Sequence, residues 1–312
     1  MKKQIFFILI ILCSAALGGF AQSRILSVLE ANPDVRTAGM GNTMLGNTAG
    51  MHLYVNPSAL VFSQQTLATS FTTEIFPDTD AGRLIQYNFS AGCKIHENRA
   101  LFAGFRYQGG LSIPVNSNNT TALKPKEWVV DLGYAFAVSP EVSVYGAAGY
   151  AKSELGRKAD GMTFSVGIGY HKELTCSFAS TQLTLGARLM DMGKALKYDK
   201  TGLAHDLPTS VAAGGDWSLV FAGKHRLVYA LSGRYFTPKG ARLLLMGTGL
   251  EYVYNEFLSA RMGYQYGQND LSRVTFGIGC SYAGFRLDAS YGIATASQIG
   301  VNTLMTGIGY SF

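Results

Sequence analysis

From Gln65 to the last residue, apolar and polar side chains alternate one by one in segments of about 9 to 14 residues. In the clearest segment Ile85, Tyr87, Phe89, Ala91, Cys93 and Ile95 share one face, and Gln86, Asn88, Ser90, Gly92 and Lys94 the other. The pattern returns with Leu101, Ala103, Phe105 and Tyr107 opposite Gly104, Arg106 and Gln108. It returns again with Trp128, Val130, Leu132, Tyr134 and Phe136 opposite Asp131, Gly133 and Ala135. Met162 to Tyr170 and Val274 to Tyr282 repeat it, with Gly, Ser and Thr on the second face. A period of two is a strand, and such lengths cross a bilayer when tilted. A soluble sandwich would alternate too, but its outer face would carry far more charge. The apolar face therefore reads as lipid-facing and the small polar face as a crowded interior, which makes the chain an all-β transmembrane antiparallel β-barrel.

About fourteen strands are predicted, near 65–76, 83–96, 99–112, 126–138, 140–152, 158–172, 178–190, 207–222, 225–237, 241–254, 257–267, 271–282, 284–293 and 301–312. Tight connections at His96–Asn98, Ser139–Pro140, Ala222–Lys224, Tyr254–Glu256 and Ala283–Gly284 alternate with longer ones near 113–125, 152–158, 191–206 and 294–300. Short periplasmic turns alternating with longer outer loops put both termini in the periplasm. Lys172 to Ser180 is the exception, a longish connection on the short-turn side, so twelve or sixteen strands stay open. The last strand places Leu304, Thr306, Ile308, Tyr310 and Phe312 on one face. Tyr310 and the terminal Phe312 resemble the signal read by the barrel-insertion machinery.

At the other end Lys2 and Lys3 precede the apolar run Ile5 to Leu12, and Gly19-Phe20-Ala21 forms a cleavage site before Gln22. Residues 1–21 read as an export signal, because the run is too short to span the roughly 30 Å hydrocarbon core. Ile10 and Leu12 argue against lipoprotein processing at Cys13. Composition agrees with an exported membrane protein: 15% charged residues is low, and 37 Gly and 17 Tyr are many. The formal charge of +6 is scattered without a basic stripe, which excludes nucleic acid as a partner. Cys93, Cys176 and Cys280 show neither metal spacing nor an obvious disulfide pair. No cofactor is implied.

Residues 22–64 differ in character. Arg24 to Glu30 could form a helix, but the remainder is glycine-rich and poor in alternation, and Pro57 cannot donate to a strand ladder. An ordered tail and a plug folded inside the lumen are both open. A barrel of this size leaves space that wall side chains do not fill, which favours the plug.

Within that segment Pro33-Asp34-Val35-Arg36-Thr37-Ala38-Gly39-Met40-Gly41 and the box Asn56-Pro57-Ser58-Ala59-Leu60 resemble the N-terminal signature of the PorV/PorQ family of Bacteroidetes outer-membrane proteins, distant relatives of FadL-type hydrophobic-compound channels. Met190-Asp191-Met192-Gly193 followed by Leu207-Pro208 is similar to a second landmark of that family. The resemblance implies a fourteen-stranded barrel in the bacterial outer membrane with an N-terminal hatch. It also implies a non-enzymatic role in type IX secretion or surface attachment, with the translocon and cargo C-terminal domains as partners. A passive channel for a hydrophobic ligand is the alternative.

Enzymatic chemistry finds little support. His52, His96, His171, His205 and His225 fall in the hatch, at strand ends or in loops, where solvated turn residues are expected, and no carboxylates pair for acid/base work. Inward-facing Arg106, Arg188, Arg234 and Arg261, with Asp131, Glu251 and Asp288, read as ion-paired scaffolding between plug and wall; a solute-selecting lining is the alternative.

Overall fold

The computed structural model describes residues 26–48, 50–114, 122–176, 179–198, 204–269, 271–295 and 301–312. The export signal expected at 1–21 lies outside them. Fourteen antiparallel strands form one closed ring. They are β1 (Leu67–Thr79), β2 (Gly82–His96), β3 (Arg99–Leu111), β4 (Lys126–Ala137), β5 (Val142–Glu154), β6 (Lys158–Cys176) and β7 (Ala179–Met192). They continue as β8 (Ser210–Phe221), β9 (His225–Phe236), β10 (Leu243–Tyr254), β11 (Leu258–Gly267), β12 (Arg273–Tyr282), β13 (Phe285–Ala294) and β14 (Thr303–Ser311). Closure is made by the last strand on the first, in a register running from Ala68 opposite Ser311 to Ile75 opposite Leu304. Closing the ring leaves no unpaired edge, which the hydrocarbon would not tolerate.

The long connection expected between Lys172 and Ser180 is not there. β6 runs on to Cys176 and β7 starts at Ala179, so all connections on the side of the termini are short and the count is fourteen. Tightness there comes from positive φ at consecutive positions, as at Ala283 (50°) and Gly284 (83°), the geometry that lets a two-residue turn follow the strand twist. β8 starts at Ser210 rather than 207, because Pro208 has no N–H to give the ladder. On the far side a small ribbon pairs Ile113–Pro114 with Ala122–Leu123 where only loop is expected.

Alternation sorts the faces as the residue types require. Leu132, Ile278, Leu287 and Met262 on the outer face are more than half exposed, an arrangement that water would penalise across so large a surface and that acyl chains favour. Inward positions of the same strands are buried, and residues of 26–48 and 50–64 pack and bond against them. This segment bonds to strands on all sides. Ser27 Oγ donates to Glu127 on β4, Asn47 N to Asp216 on β8, Met44 N to Ser232 on β9 and Gly41 N to Thr275 on β12, while Thr72 on β1 donates to the Pro33 carbonyl.

The segment is more helical than its glycine content suggests. A single 3-10 turn, Ser27–Leu29, stands where a helix was expected over 24–30, and three short α-helices follow: α1 (Val35–Ala38), α2 (His52–Val55) and α3 (Pro57–Phe62). Local capping chemistry explains them. Asp34 accepts the Thr37 N–H at 2.8 Å, Asn56 accepts the Ser58 N–H at 3.1 Å, and Pro57 supplies a preset φ at the first position of α3. The core lies between segment and wall. Leu53, Tyr54, Val55 and Leu60 pack on Ala100, Phe102, Ala135 and Tyr145, and Leu26, Val28 and Leu29 pack on Val129, Ala151 and Ala159.

Candidate functional site

The lumen is where chemistry-bearing side chains converge. Six charged groups form a continuous row along one interior side. Arg36 of α1 reaches Glu251 on β10 through Nε at 2.9 Å and Nη2 at 2.6 Å, and Arg261 on β11 meets the other oxygen of Glu251 at 2.6 Å. Arg261 also holds Asp288 on β13 at 2.7 Å, and Arg286 holds the same carboxylate from its far side at 2.7 Å. Asp216 stands 3.9 Å from Arg36, so three guanidinium groups face three carboxylates, and the row is neutral. Burial opposes the charge on Arg36, but Glu251 outweighs it and raises its pKa above the ordinary value. For Asp34 burial would push the carboxyl up; Arg286, the Thr37 N–H and Thr48 Oγ1 hold it below the usual range.

A second cluster faces the opposite wall. Arg106 binds Asp131 through two nitrogens at 3.1 Å and lies over the Tyr54 ring, whose hydroxyl donates to the same carboxylate at 3.0 Å. Arg188 donates to the Leu53 and Tyr54 carbonyls at 3.0 Å, capping the end of α2 from outside, and its Nε is left unpartnered. Arg234 donates to the Glu30 and Leu29 carbonyls and meets Asp191 at 3.4 Å. Asp191 has φ 54° at a register break in the β6–β7 ladder, which turns its carboxylate inward.

Of the residues singled out in the segment, Pro33 and Asp34 start α1, Arg36 joins the ionic row, and Asn56 and Pro57 start α3. Asn56 also donates to the Leu45 and Gly46 carbonyls, tying two turns together. Gly39 and Gly41 sit flat on the wall. A Cβ on Gly39 would be 3.1 Å from Gly277, and one on Gly41, whose φ is +73°, would lie 2.5 Å from the carbonyl oxygens of both Thr248 and Tyr264. Tyr310 lies on the closing strand, where it packs on Phe285 at 4.7 Å, and Phe312, just past the strand's end, is exposed. Asp216, Arg286 and Tyr54 belong to these networks, and Glu127 and Gln108 bond to Ser27; none of the five is among the sequence-predicted site residues. The strand residues among them occupy inward rows, and following the period of two through every strand would have found them.

His52 departs from the expected solvated turn. It is fully buried on α2, and Gln65 and the Asn56 backbone approach its ring without reaching hydrogen-bond geometry. Burial, helped by Arg286, lowers its pKa from 6.5 to about 4. A group held neutral in the docked state and free to protonate when released weakens docking as pH falls from 6.5 toward 4. The loss saturates near 3 kcal/mol. Protection factors at residues 51–62, which allow for the slower intrinsic exchange in acid, should therefore fall over that window in the parent protein, and His52→Leu should flatten the profile.

The segment divides the lumen. A cavity of about 390 Å³ on the side of the long loops is lined by Leu53, Tyr54, Arg106, Arg188, Met190 and Phe236. A vestibule of about 690 Å³ on the side of the termini is lined by Arg36, Phe62, Glu251, Arg261 and Arg286. The outer mouth is narrowed where Leu196 and His205 pair and Leu196 and Leu207 pack on Leu26, Val28 and Leu29.

Residues 23–235 match the family described as type IX secretion system protein PorV. No curated protein matches in sequence. Among solved structures, the toluene transporter TbuX of Ralstonia pickettii is similar with TM-score 0.60 and 14% identity, over 91% of this chain and 98% of that one. The toluene transporter TodX of Pseudomonas putida is similar with TM-score 0.58 and 12% identity, over 93% and 98%. The monoaromatic hydrocarbon channel CymD is similar with TM-score 0.55 and 14% identity, over 89% and 96%. At these identities the likeness is one of fold.

Proposed function

The chain belongs to the PorV family of type IX secretion system proteins, and on that premise we propose that it is a non-enzymatic anchor and docking scaffold for protein export, held in the bacterial outer membrane. The observation that carries the reading is the filled lumen. Residues 26–64 bond to wall residues on β1, β4, β8, β9, β10 and β12, so the segment acts as a plug and no exported polypeptide travels through this ring. Cargo is instead received at the rim. The translocon and the C-terminal domains of cargo are the partners this role requires, and the barrel-insertion machinery reads Tyr310 and Phe312.

A second reading is favoured by one feature, the 390 Å³ cavity with Leu53, Met190 and Phe236 in its lining. It would admit a small hydrophobic compound, in a passive channel opened by displacing the plug. Pro57 supplies no kink for such an opening, because it begins a capped helix.

Isolation of the tagged protein from outer membranes tests the export role. Translocon components or proteins carrying type IX C-terminal domains should accompany it, and a deletion strain should retain such cargo in the periplasm. Normal surface delivery in the deletion strain would remove the export role. Slowed uptake of monoaromatic compounds in the same strain would support the channel.

A further inference from the structure

The outer face of β4, β5 and β6 changes character row by row toward the end opposite both termini. In the outermost row Lys126, Glu154 and Lys158 stand side by side in register. Next come Trp128, Lys152 and Asp160, then Val130, Tyr150 and Met162, then Leu132, Ala148 and Phe164. Their sequence neighbours Glu127, Ser153 and Ala159 are buried, so all of these side chains point away from the lumen. Within three rows the wall passes from charge to bare hydrocarbon.

The ammonium groups are gathered rather than dispersed. Lys126, Lys152 and Lys158 lie 3.1, 3.4 and 3.9 Å from the Glu154 carboxylate, which holds them in a fan. Lys152 also lies 5.9 Å above the Trp128 ring, and that ring meets Tyr150 at 5.7 Å. The Tyr150 hydroxyl donates to Asp160 at 3.0 Å. With exposed Lys124 just before the strand, four ammonium groups face two carboxylates. Elsewhere on the same rim, the β1–β2 hairpin presents Asp78 and Asp80 with Arg83. Lys194, Lys197, Lys239 and Arg242 are exposed elsewhere on that rim, but here three ammonium groups are gathered on one carboxylate beside an outward-facing tryptophan.

We infer that this sector binds a phosphorylated glycolipid of the outer leaflet, with its phosphate among Lys126, Lys152 and Lys158, a sugar face on Trp128, and an acyl chain over Val130, Tyr150 and Met162. Long loops lie on the cell-exterior side of such barrels, so these rows stand at outer-leaflet headgroup depth. A soluble acidic partner would match the charge but would leave Trp128, Tyr150 and Met162 unused; an anionic amphiphile uses both. Exposed ammonium–carboxylate contacts are weak, so a phosphate can take Glu154's place within the fan.

The chain has two tryptophans, Trp128 and Trp217, so Trp217→Phe leaves Trp128 as the reporter. In that background, purified protein in detergent micelles is titrated with diphosphorylated lipid A, dephosphorylated lipid A and phosphatidylglycerol. Trp128 emission should respond saturably to the first, with affinity at least ~10-fold above the other two. Lys126→Gln, Lys152→Gln and Lys158→Gln should each weaken it by roughly fivefold, and added salt should weaken it further. Unchanged gel mobility of unheated samples verifies that the variants keep the barrel. Equal response to all three lipids, or unaltered affinity in a variant carrying all three lysine substitutions, would overturn the assignment.

Discussion

Glu251→Ala should release the N-terminal segment from the wall. The substitution strips Arg36 of its three hydrogen bonds to the Glu251 carboxylate, leaving it the Asn47 carbonyl at 2.6 Å and Asp216 at 3.9 Å. Arg261 fares better, since it keeps Asp288 at 2.7 Å. The uncompensated charge therefore falls on the segment rather than on the barrel. Breaking one partner out of a buried pair costs about 3–5 kcal/mol. Fourteen ladders keep the ring closed meanwhile, so the loss appears as undocking and not as unfolding. Planar-bilayer recordings should show open-pore conductance in Glu251→Ala and a mostly closed parent, and exchange at residues 32–48 should rise. Replacing Arg36 and Glu251 together by Met should recover part of the docking, because no stranded charge remains between them. A closed, fully protected Glu251→Ala protein would refute the view that this row holds the segment.

Gly41→Ala should be nearly as damaging although it adds one carbon. Backbone at φ +73° disfavours any L side chain, and the new Cβ would lie 2.5 Å from two carbonyl oxygens fixed in the β10–β11 ladder. Neither oxygen is the end of a flexible side chain, so the strain has no local outlet. Overpacking and backbone strain together cost about 3 kcal/mol or more. Gly233→Ala is the matched control, because its nearest neighbour would be a carbonyl at 4.0 Å. Conductance and exchange should separate the two variants, with Gly233→Ala like the parent. Equal behaviour would mean that the close seat of Gly39-Met40-Gly41 contributes nothing to docking.

Both expectations depend on contacts that differ in how far a sequence can reveal them. Strand existence and facing were legible because they are local: Trp128, Val130 and Leu132 point outward for the same reason that Asp131 and Gly133 point inward, a period of two with a bilayer on one side. Helix α3 is also locally encoded, in Asn56 followed by Pro57, but its 6 residues are too short a run for a helical period to mark. Asp216 shares an inward row with Gly214 and stayed unremarked because nothing within its own strand needs a carboxylate.

By itself, then, the sequence determined the faces of the wall segments and the membrane that surrounds them, since side-chain alternation and the solvent on each side act over a few residues, whereas fourteen rather than twelve or sixteen strands followed from the short β6–β7 connection. Only the tertiary structure decided which charges meet. Arg36 and Glu251 are 215 positions apart, and nothing near either one specifies the other. Their distance was set by closure of the ring and by glycines thin enough to let the segment's backbone lie against the wall. The burial of His52 has the same origin, in a helix that becomes a core element only once the ring encloses it.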